Sequence, residues 1–300
     1  MPFRNQLHVD RLLSNISVKY SNAEYIADKI FPILAVQNET DLYRVWVRDF
    51  KNPTDYRRDG AESREYQFNV TTNAYRLRQH ALKALVTDTQ ARNYDIADLK
   101  ADTVEFLTDA VLRRREIEVI DNFVTSTSWS LNVSIAAASA WTTNTSLPIP
   151  IVDTAGTTIL QNSGQIANFG VIGRTGWVNL KNHTTVADRV KYTSVEIGEA
   201  IVAKLLGLGE LLISKAVQDT GVEGVADSIS SIWPDSMFVG YKPASPGPLK
   251  PSCGYLFQYN KPPVKRWREE KRDGEMIEVN MEYSPEIVAS LCGYLIIDIV

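Results

Sequence analysis

The sequence predicts an α+β protein made of an extended β-hairpin, one long helix, an α/β lobe and a closing antiparallel sheet. Three observations lead there. No glycine or proline interrupts residues 61–147, far longer than a compact domain usually runs without punctuation. Inside that stretch the apolar period changes from alternate residues to a helical one. Beyond residue 168, short apolar strands alternate with helical segments, until clean alternation returns at Ile277, Val279, Met281 and Tyr283.

Residues 1–36 read as an arm. Leu12, Leu13 and Ile16 give a weak helical stripe, and Ala27, Ile30, Phe31, Ile33 and Leu34 follow, with Pro32 stopping any helix. So little apolar surface makes no core, so the arm must lie on another surface, its own subunit's or a neighbour's. Next comes a strand over residues 42–50, with Tyr43, Val45 and Val47 on one face and Arg44, Trp46 and Arg48 on the other. A charged tip over 51–65 and a returning strand with Tyr66, Phe68 and Val70 complete a long hairpin. The return is expected to run on through Tyr75 and Leu77 to Val86. An isolated two-stranded ribbon is marginal in water, so this one needs a partner, and packing between subunits is the simplest supplier.

From residue 95 to about 125 the period is helical, with Leu99, Thr103, Phe106, Ala110, Ile117, Ile120 and Val124 on one face. Asp95 is the expected N-cap and Asp98 falls in the first turn, where negative charge suits the helix dipole. Residues 126–163 are rich in Ser, Thr, Ala and Asn and read as a join between lobes, with one helix near 151–166. The second lobe opens with a buried strand at Phe169, Val171 and Ile172. Helices follow near 176–182 and 194–206, the latter ended by Gly207. Strands are expected at 211–216 and 236–241, and a proline-rich loop at 243–251. The last segment is a hairpin turning at Asp273-Gly274, then a strand over 292–300, in a sheet expected to pack on the long helix.

Composition narrows the function. The net charge of −4 offers no broad basic surface for gripping nucleic acid. Cys253 and Cys292 have no metal-type spacing and the chain has three histidines, so no cofactor or metal is expected. Residues 1–10 lack a signal-peptide plan and no apolar run would span a bilayer, so the chain is read as made in the cytoplasm, away from membranes. Catalytic motifs are also missing. Gly207-Leu208-Gly209 follows a helix instead of a strand and lacks the third glycine of a dinucleotide loop. His183 has no nucleophile elbow and reads as an exposed or capping residue; His8 and His80 lie in the arm and hairpin. Glu269-Glu270 is ordinary charged surface.

The order of parts resembles the major capsid proteins of tailed phages, the Hong Kong 97-type shell fold. Local phrases carry the likeness: Ala27-Asp28-Lys29-Ile30-Phe31-Pro32 at the close of the arm; Gly170-Val171-Ile172-Gly173, then Leu180 and Asp188-Arg189-Val190-Lys191-Tyr192; Ile232-Trp233-Pro234-Asp235-Ser236 before a strand ending at Tyr241; and the hairpin of residues 264–283. The resemblance implies an N-terminal arm at 1–36 and an extended loop at 37–88 overlapping the adjacent subunit. It implies a peripheral domain with its spine helix at 89–165 and 261–300, and an axial domain at 166–260. It further implies a homo-oligomer of pentamers and hexamers in an icosahedral virion shell around double-stranded DNA, with portal and scaffold proteins and a decoration protein as partners. Some relatives carry a cleaved N-terminal scaffolding extension; this chain is read as having no room for one, so a separate scaffold, or none, is expected. Some relatives lock subunits by Lys–Asn isopeptide bonds; Lys51, Asn52, Asn260 and Lys261 are of the right types, and nothing marks a reactive pair.

Candidate contact residues follow. Arg57 and Arg58 at the hairpin tip either bind acidic groups on a neighbour or lie in a solvated loop. Arg113, Arg114 and Arg115 either make intersubunit ion pairs, line the inner surface toward DNA, or pair locally with Glu116 and Glu118. The run Lys265-Arg266-Trp267-Arg268 reads as a strand with charges outward and Trp267 packed. Two other functions remain open: an encapsulin-type nanocompartment shell, and, more remotely, a two-lobed soluble enzyme.

Overall fold

The computed structural model describes residues 25–45, 50, 52, 55–63, 65, 71–94, 98–191, 198–221, 224, 226–259 and 264–300. The expectations placed on Leu12, Leu13, Ile16, Trp46, Val47, Arg48, Tyr66, Phe68, Val70 and Asp95 lie outside these residues. In chain order the elements are α1 (Ala27–Ile30), β1 (Ile33–Val36), β2 (Thr40–Val45), β3 (Thr71–Arg76), β4 (Arg78–Thr87), α2 (Asp88–Arg92) and α3 (Leu99–Phe123). Then come β5 (Asn132–Ser134), α4 (Pro148–Ser163), β6 (Phe169–Gly173), α5 (Arg174–Asn182), α6 (Thr184–Val190), α7 (Glu199–Leu205), β7 (Glu210–Ser214), β8 (Val217–Asp219) and β9 (Ile229–Ser231). The chain closes with β10 (Ser236–Gly240), β11 (Gly254–Tyr259), β12 (Val264–Glu269), β13 (Gly274–Ile287) and β14 (Gly293–Ile297).

Two sheets organise the body. In the first, β13 is the central strand. Its N-terminal half pairs with β12 and its C-terminal half with β11 along one edge, β4 pairs along the other, and β1 adds parallel to β11. In the second the order is β5-β14-β10-β6-β7. The C-terminal strand β14, expected with the peripheral residues, therefore belongs to the second sheet, between β5 and β10. Its apolar run Tyr294, Leu295, Ile296 and Ile297 suits a strand covered on both faces. Helix α4 also packs on this sheet: Ile149, Val152, Ala155 and Ile159 share a core with Ile172, Met237, Val239 and Ile296. It begins at Pro148, three residues before the expected start, because proline is well tolerated in a first turn.

The hairpin's return strand changes partner. Thr71–Arg76 pairs with β2; after a break at Leu77, Arg78–Thr87 pairs with β13 instead. The ribbon is thus rooted in the body. Its tyrosines also find a partner within the chain, contrary to the intersubunit expectation: Tyr75 stacks on Phe257 with ring centroids 4.5 Å apart, and Tyr43 lies 5.4 Å from the same ring.

Helix α3 spans 25 residues, about 37 Å at 1.5 Å per residue. Its N-cap is Asp98, whose side chain accepts from the Lys100 amide. The buried stripe runs Leu107, Val111, Arg115, Val119 and Phe123, flanked by Glu116 and Ile120. Phe106, expected on that face, is 43% exposed. One end of the stripe packs on Val86, Ile277 and Val279 of the first sheet; the other meets the second sheet through Phe169, Val171, Phe238 and Leu295. The spine helix thereby ties the sheets together.

The last hairpin turns differently from a two-residue Asp-Gly turn. A 3-10 turn, Glu270–Arg272, precedes Asp273 in the left-handed region at φ 43°, and Gly274 is the first strand residue. A Cβ at Gly274 would sit 2.6 Å from the Val86 carbonyl oxygen, so the glycine serves close approach of β4, not the turn. Trp267, expected to be packed, is 38% exposed because β12 is a sheet edge.

Candidate assembly surfaces

Four features decide what the outside of this molecule can do: a latch under the N-terminal segment, the hairpin root, the hairpin tip and the outer face of α3. The latch centres on Glu116, which is fully buried. Its carboxylate accepts from the Ile26 amide at 3.1 and 3.2 Å and from the Ala27 amide at 2.8 Å. Helix α1 is a single turn without a side-chain cap of its own, and its first amides would otherwise be unsatisfied. Burial pushes the Glu116 carboxyl above its ordinary value, against the pull of those amides. Around it, Arg115 reaches Asp28 at 3.8 Å, the Tyr25 hydroxyl donates to Asp109 at 2.8 Å, and the Lys242 ammonium donates to the Lys29 carbonyl at 2.7 Å. Ile26, Ile30 and Phe31 complete the latch within the main core.

The three arginines of the triplet stand in different surroundings. Arg115 is on the buried stripe and reaches Asp28 inside its own chain. Arg113 is half-buried and Arg114 exposed. The adjacent acids turn to other partners: Glu116 serves the α1 amides, and Glu118 faces Arg78 at 3.7 Å and His80 at 3.5 Å. Arg57 and Arg58 are exposed at the tip, where Arg57 donates to the Ser63 hydroxyl at 3.3 Å. Of the isopeptide candidates, Asn52 is exposed, and Lys51, Asn260 and Lys261 lie outside the described residues.

Two hollows flank the hairpin root. One, about 270 Å³, is lined by Leu42, Tyr43, Tyr75, Leu249 and Phe257, with Asp41 and Arg44 at its rim. The other, about 790 Å³, is lined by Glu39, Arg76, Arg78, Glu118 and Glu286 among others. The Glu118 side chain is 10% exposed, with its Oε2 turned toward the His80 ring at 3.5 Å. Burial raises the Glu286 carboxyl and pushes the Tyr43 phenol up to about 12.

The residues with catalytic potential are arranged as structure. His183 is buried, so the exposed alternative falls and the capping one stands: its Nδ1 accepts from the Thr185 amide at the start of α6, and its Nε2 lies 2.9 Å from the Ser146 hydroxyl. Both side chains are buried and no carboxylate orients the ring. Among the described residues no group of His, Cys, Asp and Glu could hold a metal ion, and no helix is long and apolar enough to cross a membrane.

The architecture is that of shell-forming capsid proteins of the Hong Kong 97 type. A phage-related protein from Bordetella bronchiseptica RB50 superposes with a TM-score of 0.75 over 96% of both chains at 22% identity. The capsid structure of cyanophage P-SCSP1u gives 0.65 over 93% of this chain and 89% of that one, at 12% identity. An encapsulin from Synechococcus elongatus gives 0.54 over 90% and 86%, at 11% identity. The sequence carries the relationship one step further: the chain is 24% identical over 313 residues to the major capsid protein of Burkholderia phage BcepMu, covering 96% of this chain and 95% of that protein. No family model matches the chain.

Proposed function

We propose that this chain is the major capsid protein of a phage, a structural subunit that assembles into pentamers and hexamers of an icosahedral shell around double-stranded DNA. One observation carries the reading: a shell-type fold over nearly the whole chain coincides with end-to-end sequence similarity to a phage major capsid protein. The division of labour follows the elements. Residues 1–36 form the arm, leaving the body at the Glu116 latch. Residues 37–88 carry the extended loop, whose exposed tip reaches a neighbour. The first sheet and α3 make the peripheral part, and the second sheet with α4–α7 the axial part, whose copies meet around the rotation axes. Assembly draws on apolar burial, at about 25 cal/mol per Å² before ordering costs are deducted, and weak contacts suffice because a closed shell multiplies them. Arg57, Arg58, Arg113 and Arg114 are the better-exposed candidate contact residues. Portal, scaffold and decoration proteins are the expected partners in the virion. A mildly negative chain suits enclosure without tight phosphate contact.

The nanocompartment alternative shares the fold and has the weaker structural match. Particles purified from the producing cells separate the two. Nuclease-protected double-stranded DNA inside supports the capsid; a packaged enzyme and no genome supports the nanocompartment.

A further inference from the structure

The tripeptide Arg-Asp-Gly occurs twice in the chain, as Arg58-Asp59-Gly60 and as Arg272-Asp273-Gly274. An aspartate before glycine is prone to close on its own backbone, because no side chain on the glycine hinders its nitrogen from reaching the carboxyl. The shared local sequence gives both copies the same intrinsic chemistry, so only their surroundings separate them. At the hairpin tip Asp59 and Gly60 are both exposed. They form the middle of a turn in which the Ala61 amide donates to the Arg58 carbonyl at 3.1 Å. Gly60 has φ 75°, and a Cβ there would meet nothing within 4 Å. Among the described residues no hydrogen bond or ion pair holds the Asp59 carboxylate or the Gly60 amide. The second copy is held fast. Gly274 is buried as the first residue of β13, between Thr87 of β4 and Glu269 of β12. The Asp273 carbonyl accepts from the Asp88 amide at 2.9 Å, and the Val86 carbonyl and Thr87 Cα crowd Gly274. Turning the Gly274 nitrogen toward the Asp273 carboxyl would break that bond and open the end of the ladder.

We propose that Asp59 is a site of covalent self-modification, closing through a cyclic imide to isoaspartate, and that Asp273 in the same tripeptide is protected from it by the fold. In the first step the Gly60 nitrogen bonds to Asp59 Cγ and gives up its proton, and the hydroxyl of the protonated carboxyl leaves, so that one water is lost. In the second, water adds to a ring carbonyl. Breaking the bond from Gly60 N to the Asp59 main-chain carbonyl carbon leaves isoaspartate, with the backbone running through Cγ; breaking the new bond restores aspartate. The sum is an isomerisation without change of mass, and it needs no oxidant, reductant or second reactant. The product inserts one carbon into the backbone inside the turn of residues 58–61 and places a carboxylate directly on the main chain beside Arg57 and Arg58. It is also the chemical class of group that isoaspartyl methyltransferases esterify from S-adenosylmethionine. The inference stands apart from the shell reading, since it needs only the exposed turn.

The test ages the full-length protein at neutral pH in water enriched in heavy oxygen, with and without denaturant, and follows both tripeptides by peptide mass spectrometry. Each ring opening installs one heavy oxygen, and fragmentation of the peptide distinguishes isoaspartate from aspartate. In the native protein, label and isoaspartate should appear at Asp59 at least about tenfold faster than at Asp273, because the second site reacts only when the ladder opens locally. In denaturant the two sites should react at similar rates. Asp59→Glu keeps the charge at an exposed position and lengthens the side chain past the five-membered ring, so the label should vanish from the tip peptide alone. Equal labelling of Asp59 and Asp273 in the native protein would overturn the inference. So would an Asp59 that reacts in denaturant and stays unlabelled in the native protein, or a tip label that survives Asp59→Glu.

Discussion

Replacing Glu116 by alanine tests the latch directly. The substitution strips the acceptor from two buried amides, Ile26 and Ala27. A buried donor left unsatisfied costs about 1–3 kcal/mol. Relief of the buried charge offsets part of the total, so the expected net loss is about 2–4 kcal/mol. Glu116→Gln keeps one carbonyl oxygen for the amides and sheds the charge, so it should lose about 1 kcal/mol or less. Denaturant unfolding of the subunit measures both. Limited proteolysis supplies the local readout: cleavage near residues 25–31 should rise in Glu116→Ala before the body unfolds, because α1 is one turn held by that carboxylate and by Ile26, Ile30 and Phe31. An alanine variant within about 0.5 kcal/mol of wild type, with unchanged cleavage, would show that the latch does not hold the N-terminal segment.

Other expectations follow from the same geometry. His80 stacks on Tyr283 with centroids 4.4 Å apart, and burial lowers its pKa, with Arg114 and Arg78 lowering it further and Glu118 opposing them. The unfolded chain therefore takes up this proton first, and stability should fall as pH drops from about 6.5 toward the depressed folded value, then level off. His80→Phe keeps the stack and should flatten that slope; identical pH profiles for variant and wild type would refute the assignment. Burial pushes the Cys253 thiol up to about 12, and Cys292 is buried and raised as well. Neither should react with a thiol reagent at pH 8 in the native state, and both should react in denaturant; reaction without unfolding would contradict the packing. Gly254→Ala would place a Cβ 2.2 Å from the Phe31 ring and 2.9 Å from the Glu286 carbonyl oxygen, costing about 1–3 kcal/mol in a thermal melt; a variant as stable as wild type would show that Phe31 yields freely.

Much of the architecture was legible because period and punctuation are local. The strand at Phe169–Gly173, the Gly207 end of α7 and the strand through residues 277–283 each stand where the sequence puts them, while α7 starts at Glu199, after an extended Gly198, and not near 194. The rotated face of α3 was not legible. An apolar count finds Phe106 and Ile117 and passes over Arg115 and Glu116, whose burial depends on partners about 90 residues away, Asp28 and the Ile26 and Ala27 amides. A charged pair within an otherwise buried helical stripe was the available signal. The change of partner at Leu77 is equally non-local, since one uninterrupted alternation runs through strands in two different sheets. The β14 assignment failed for the same reason: neighbours in sequence suggested the first sheet, while pairing with β10 and β5 decides the second. The tip arginines were visible as a pair, but the root hollows exist only once β2, β3, β11 and the loop around Leu249 come together.

The central claim is that this chain builds shells, and electron microscopy of the purified protein at high concentration, with light scattering on the same sample, tests it most directly. The account predicts closed shells, or rings with fivefold and sixfold symmetry. A uniform population of monomers or dimers at every concentration, and equally when the chain is co-produced with its phage's scaffold protein, would contradict it.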